Sequence, residues 1–214
     1  MTNFWHTLPR PFFALAPMAN VTDAAFRRLI AKYGKPDVMW TEFVSCDGLL
    51  SAGREKLLVD LWYSEAERPI VAQIFGAVPE HFYECAQLIA QLGFDGIDIN
   101  MGCPDRAVEK QGAGAALMKN PKLAKEIIAQ TKRGADGLPV SIKTRIGYSK
   151  NELEAWLPHL LEAEPAAVTL HLRTRKEMSS VPAHWDAAAQ AREIIERFGG
   201  ASAASAGGRT LLIG

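Results

Sequence analysis

The sequence predicts an α/β fold, a (β/α)8 TIM barrel that is incomplete, with about seven of its eight strands present. Three observations carry that expectation. Short apolar runs alternate six times with helical segments, and a seventh run begins at the carboxyl end. Such alternation builds a parallel sheet with right-handed crossovers. Polar or turn-forming residues stand at or near the ends of six successive strands: Pro17 and Met18, Glu42, Gln73, Asn100 and Cys103, Lys143, and His171. A barrel gathers such ends around one mouth, whereas a doubly wound sheet would spread them along an edge. No Gly-x-Gly-x-x-Gly follows the first strand, which counts against a dinucleotide-binding sheet.

Taken in order, Pro11–Ala16 predicts a first buried strand, ended by the turn residues Pro17, Met18, Ala19 and Asn20. Thr22 or Asp23 can cap the helix that follows, with Phe26, Leu29, Ile30 and Tyr33 on one face. Val38–Phe43 predicts the second strand, and residues 48–60 a broken helix. Pro69–Phe75 is the third strand; Gln73 is anomalous within it, because a buried amide needs partners. Pro79–Leu92 is amphipathic, with Phe82, Ala86, Ile89 and Ala90 facing the core.

In the fourth strand Ile97 and Ile99 alternate with Asp98 and Asn100. Pro121 is well placed to open a helix to about Arg133. Pro139–Arg145 is the fifth strand and carries Lys143; Asn151 can cap a helix with Leu153, Trp156, Leu157 and Leu160. Ala166–His171, the sixth strand, runs into the basic loop Leu172–Lys176, and Trp185–Phe198 is a further helix. Residues 199–208 read as a Gly/Ala/Ser-rich linker, and residues 209–214 as the truncated start of a seventh strand.

A chain of 214 residues can bury a real core as one domain. Its 48% hydrophobic and 22% charged content is ordinary for a soluble globular protein, and its net charge is zero. A nucleic-acid partner must therefore be met by a local basic patch. Cys46, Cys85 and Cys103 have no metal-ligand spacing and form no disulfide framework, which fits a reducing cytoplasm. Residues 1–10 have the pattern of neither a signal peptide nor a membrane span.

The stretch that organises the chain is the fourth strand and its sharp end at Met101, Gly102, Cys103 and Pro104. Glycine permits unusual backbone angles, and proline pushes its predecessor towards extended structure. A strand ending on such a turn presents its thiol beyond the sheet edge, where parallel α/β proteins place their sites. The glycine-rich run Gln111–Ala116 behind it leads towards a helix and can offer backbone amides to a ligand.

Leu15–Arg27, Asp98–Pro104, Gly112–Ala115, Lys143–Arg145 and His171–Arg175 stand in order, and together they resemble the tRNA-dihydrouridine synthases over roughly residues 11 to 198. The resemblance implies FMN-dependent reduction of the 5,6 double bond of uridine in tRNA, with NADPH as reductant and Cys103 as proton donor. A thiol with a pKa of about 8.5 stays mostly protonated at neutral pH, as that role requires. It implies that Lys143 stabilises anionic reduced flavin and that Pro17, Met18, Ala19, Gln73 and His171 hold the cofactor. Asn100 would orient flavin or base, Glu42 would reach a ribityl or base group, and Arg145, Arg173, Arg175 and Lys176 would meet RNA phosphates.

Residues 1–198 are then expected to be the catalytic barrel, in a cytoplasmic, monomeric protein without a metal. Members of the family continue past the seventh strand with a flavin-phosphate site and a helical RNA-binding domain; this sequence stops at Gly214, before both. Two alternatives stand beside this reading: an inactive remnant of the family with weak FMN and RNA binding, and another FMN barrel oxidoreductase resembling a dihydroorotate dehydrogenase.

Overall fold

The structure is a computed structural model and describes residues 3–202 and 210–214. Its seven strands are β1 (Ala14–Leu15), β2 (Val38–Ser45), β3 (Ile70–Phe75), β4 (Gly96–Met101), β5 (Val140–Arg145), β6 (Ala167–His171) and β7 (Leu211–Ile213). They pair in sequence order and every pair is parallel. The helices between them are α1 (Ala24–Gly34), α2 (Cys46–Leu49), α3 (Arg54–Leu57), α4 (Pro79–Gln91), α5 (Arg106–Lys110), α6 (Pro121–Gly134), α7 (Leu153–Leu161) and α8 (Asp186–Ser202). The sheet curls until residues flanking β1 and residues of β7 line one cavity, which makes an incomplete (β/α)8 barrel.

Strand alternation sorts the side chains between two faces. Ile97, Ile99 and Met101 join Ile70, Ile74, Ile142 and Val168 in the main core, together with Phe82 and Ile89 of α4 and Ile127 of α6. The opposite face carries a smaller cluster in which Trp5, from a single turn at Phe4–His6, packs with Trp40, Val71 and Ala167. Trp5 and Trp40 lie 5.7 Å apart, ring centre to ring centre. Gly134 lets α6 approach α4, because a Cβ there would lie 2.2 Å from the Tyr83 carbonyl oxygen.

Several expectations need correction. The first strand is only two residues long and partly buried. Pro11 has no N–H to give a ladder; the Phe13 N–H goes to the Asp37 carboxylate at 2.8 Å, and the Phe13 ring is 75% exposed. The face that Phe26, Leu29, Ile30 and Tyr33 share on α1 is only partly covered: Leu29 is 55% and Tyr33 74% exposed. The fully buried residue there is Arg27, bonded to Glu67 at 2.7 Å and to the Thr22 carbonyl at 2.6 Å. Of the two possible caps it is Asp23 that accepts from the Phe26 N–H at 2.7 Å. Helix α8 continues to Ser202, so residues 199–202 are helical where a linker is expected; residues 203–208 of that linker lie outside the described residues.

Candidate active site

The carboxyl ends of β3 to β6 surround a cavity of about 160 Å³. Pro17, Gln73, Asn100, Cys103, Lys143, Arg145 and His171 all line it, with Phe43, Gly102 and Pro104 completing the wall. Cys103 and Lys143 thus face one space. A second cavity of about 210 Å³ meets the first at Pro17 and Lys143 and extends towards β1 and β7.

The turn that presents Cys103 is held from both sides. The Asn100 side-chain oxygen accepts from the backbone N–H groups of Gly102, at 3.1 Å, and Cys103, at 2.9 Å. The Cys103 carbonyl accepts from Ala115 N–H at 2.9 Å. Gly114 makes that contact possible: its φ is +59°, and a Cβ there would come within 2.8 Å of the Cys103 carbonyl oxygen. Burial raises the thiol's pKa above its ordinary value, so the thiol is protonated at neutral pH.

Gln73 is fully buried and satisfied. Its Nε2 donates to Asp98 at 2.6 Å, and its Oε1 accepts from Asn100 Nδ2 at 3.1 Å. Asp98, also fully buried, accepts from Ser141 Oγ at 2.6 Å. Burial pushes its pKa up to about 6, against the opposing pull of the Gln73 and Ser141 bonds and the nearby Lys143 charge. Lys143 is half-buried, and burial lowers its pKa while Asp98 offsets part of that effect.

His171 pairs with Arg173, whose Nη1 lies 2.9 Å from His171 Nε2. A guanidinium offers only N–H groups, so Nε2 accepts and the neutral ring carries its proton on Nδ1. Burial and then the charges of Arg145, Lys143 and Arg173 lower the pKa of His171 to about 4.

The basic residues divide. Arg145 is only 7% exposed and bonds the carbonyls of Gly102, Thr174 and Met178 at 2.8, 3.1 and 2.8 Å, tying the Cys103 turn to the loop after β6. Arg173 donates to the Val181 carbonyl at 2.6 Å. Arg175 Nε pairs with Glu109 at 2.8 Å. These three guanidiniums brace loops, whereas Lys176 is exposed. Met18 and Ala19 are exposed beside the mouth rather than in its wall. Glu42 accepts from Asn20 N–H and so props the β1–α1 loop.

Sequence reasoning gave no role to Asp98, Ser141, Phe43 or Glu109. Asp98 carried a visible signal, as a charge inside an apolar strand. Phe43 carried none, because the irregularity between Trp40 and Phe43 in β2 breaks the alternation that would place it. Among the described residues no cluster of His, Cys, Asp or Glu could hold a metal ion, and no helix is long and apolar enough to cross a membrane.

Fold and site together define a parallel α/β barrel chain with a protonated thiol and an ammonium group facing one cavity at the strand ends. Residues 14–196 match the family model described as dihydrouridine synthase (Dus). The chain is 49% identical over 186 residues to the "Probable tRNA-dihydrouridine synthase" of Staphylococcus aureus strain COL, covering 86% of this chain and 56% of that protein. It is 47% identical over 186 residues to the "Probable tRNA-dihydrouridine synthase 2" of Bacillus subtilis strain 168, covering 86% and 57%. The chain belongs to the dihydrouridine synthase family, and it spans a little over half the length of these relatives.

Proposed function

We propose that this chain carries the reducing site of an FMN-dependent tRNA-dihydrouridine synthase, with NADPH as reductant and tRNA as substrate. The observation that carries the reading is the shared cavity of Cys103 and Lys143, with the thiol held protonated by burial. The residues present suit a flavin. Lys143 offers a cation where an anionic ring would lie. In the adjoining cavity Thr169 Oγ1 is a buried hydroxyl with no partner among the described residues, as expected of a site that meets a polar ligand.

Bound FMN, reduced by NADPH, would supply a hydride to one carbon of the uracil double bond. Cys103 donates its proton to the other carbon. Lys143, Gln73, Pro17 and neutral His171 hold the cofactor, Asn100 keeps the Cys103 turn in place, and Met18 and Ala19 flank the entrance. Lys176 meets RNA phosphate, while Arg145, Arg173 and Arg175 shape the mouth and lend it positive charge. A uridine must leave its stack to reach the cavity.

Purified protein with a flavin visible spectrum supports the cofactor reading; a colourless, folded product counts against it. In a full-length context Cys103→Ala keeps flavin binding and loses dihydrouridine formation in tRNA lacking the modification, by a factor of about 10²–10⁴ for loss of a positioned acid. Turnover of dihydroorotate in place of tRNA would move the assignment to the small-pyrimidine reading.

A further inference from the structure

We propose that Asp98 is a positioning residue: its carboxylate anchors a buried hydrogen-bond chain that runs through Gln73 and Asn100 to the backbone of the Cys103 turn. The chain is continuous. Asp98 Oδ2 accepts from Gln73 Nε2 at 2.6 Å, Gln73 Oε1 accepts from Asn100 Nδ2 at 3.1 Å, and Asn100 Oδ1 accepts from Gly102 and Cys103 N–H at 3.1 and 2.9 Å. The other carboxylate oxygen is occupied by Ser141 Oγ at 2.6 Å.

A side-chain amide can be turned end for end at almost no cost in shape, so two amides in series have several arrangements. An ionised carboxylate can only accept. It forces Gln73 to present its N–H₂, which leaves the Gln73 carbonyl for Asn100. That in turn leaves the Asn100 carbonyl for the two backbone amides. The buried anion at one end, fully enclosed like Gln73, and the two donor-only backbone N–H groups at the other impose the same direction on both amides. The charge-assisted bond from Asp98 anchors a chain that ends on the residue whose thiol faces the cavity. Local sequence could not supply this order, because Asp98 and Gln73 stand on different strands. The functional meaning rests on Cys103 as proton donor; the chain of bonds does not.

The test reads the turn directly, without cofactor or RNA. The purified chain is alkylated with iodoacetamide, and labelling of each cysteine is followed by peptide mass spectrometry across a pH series, separating thiolate population from access. Cys46 and Cys85 are fully buried and report whether the fold persists. Asp98→Asn keeps the size of the side chain but removes the charge that holds Gln73, and its amide can turn an N–H₂ towards Gln73 Nε2, so the anchor of the chain is weakened. Labelling of Cys103 should accelerate several-fold while Cys46 and Cys85 stay protected. Gln73→Met breaks the chain in its middle and should accelerate Cys103 to a similar degree. Asn100→Ala should do so too, and adding Asp98→Asn to it should change nothing further, because the carboxylate acts through Asn100. Unchanged Cys103 labelling in folded Asp98→Asn, or an additive double variant, overturns the proposal. Exposure of Cys46 and Cys85 in both Asp98→Asn and Gln73→Met also overturns it, assigning the carboxylate to fold stability. Failure here leaves the proposed reaction standing, and failure of the reaction leaves this chain of bonds standing.

Discussion

Asp98 and His171 titrate near one mouth and pull stability in opposite directions over the same pH range. The Asp98 carboxyl is raised from 3.8 to about 6 on folding, so the folded state holds its proton more tightly. Its contribution is present in full below pH 3.8 and is lost as pH rises through 6, a change of roughly 3 kcal/mol for this fully buried group. His171 is lowered from 6.5 to about 4. Its contribution is present above pH 6.5 and is lost as pH falls through 4. The two trends offset each other between pH 4 and 6. Difference profiles against the parent isolate them, because other carboxylates cancel. Urea unfolding of Asp98→Asn should gain stability relative to parent as pH rises from 4 to 6. His171→Gln should lose it over the same range. Flat difference profiles would remove both groups from the pH response. Most of the candidate site's cavity lining was legible at this scale: Gln73, Asn100, Cys103, Lys143 and His171 are polar exceptions at the ends of apolar strands. The arginines were not legible, because what each one binds is fixed by loops far away in sequence, as Arg175 is by Glu109.

Among the elements, α1 shows why an apolar face read from periodicity need not be the buried one. Apolar spacing favoured the side of Leu29 and Tyr33, but the helix is docked by an ion pair. Arg27 meets Glu67, and Glu67 also accepts from Ser64 N–H at 2.8 Å and Ser64 Oγ at 2.9 Å. Both charges are fully buried. Breaking such a pair strands the remaining charge, whereas replacing both partners by apolar groups removes the penalty. Arg27→Met or Glu67→Gln should each cost about 3–5 kcal/mol in urea unfolding, and Arg27→Met with Glu67→Met should recover much of that. Additive losses in the double variant would show that the charges act separately. The turn between β4 and α6 makes a related demand. Gly114→Ala places a side chain at a left-handed position against the Cys103 carbonyl, and should destabilise the chain by about 1–3 kcal/mol. Iodoacetamide labelling of Cys103 should rise with it, since the same contact seats the turn.

For the whole molecule, the strand order was legible because each β-α repeat contributes one strand to a growing parallel sheet, and right-handed crossovers leave little choice of neighbour. The role of the amino terminus was not legible, since nothing in the residues around Trp5 says which end of the sheet they cover. In the structure Trp5 is buried against Trp40 and Phe12, in the cluster that also holds Val71 and Ala167. Val71 lies two residues before Gln73, and Ala167 four before His171, so this cluster fills the amino-terminal part of the face whose carboxyl-terminal part forms the cavity. Barrel chains separate stability and chemistry along the strand axis in this way. Trp5→Ala should therefore cost about 3–5 kcal/mol, the usual loss for deleting a buried aromatic side chain. Yet the fraction that stays folded should label Cys103 at the parental rate, because Asn100, Gly114 and Arg145, which seat the turn, lie at the other end. The comparison needs only urea unfolding and iodoacetamide labelling on one preparation. Faster Cys103 labelling in folded Trp5→Ala would show that the two ends are coupled and that the amino-terminal cluster helps to shape the mouth.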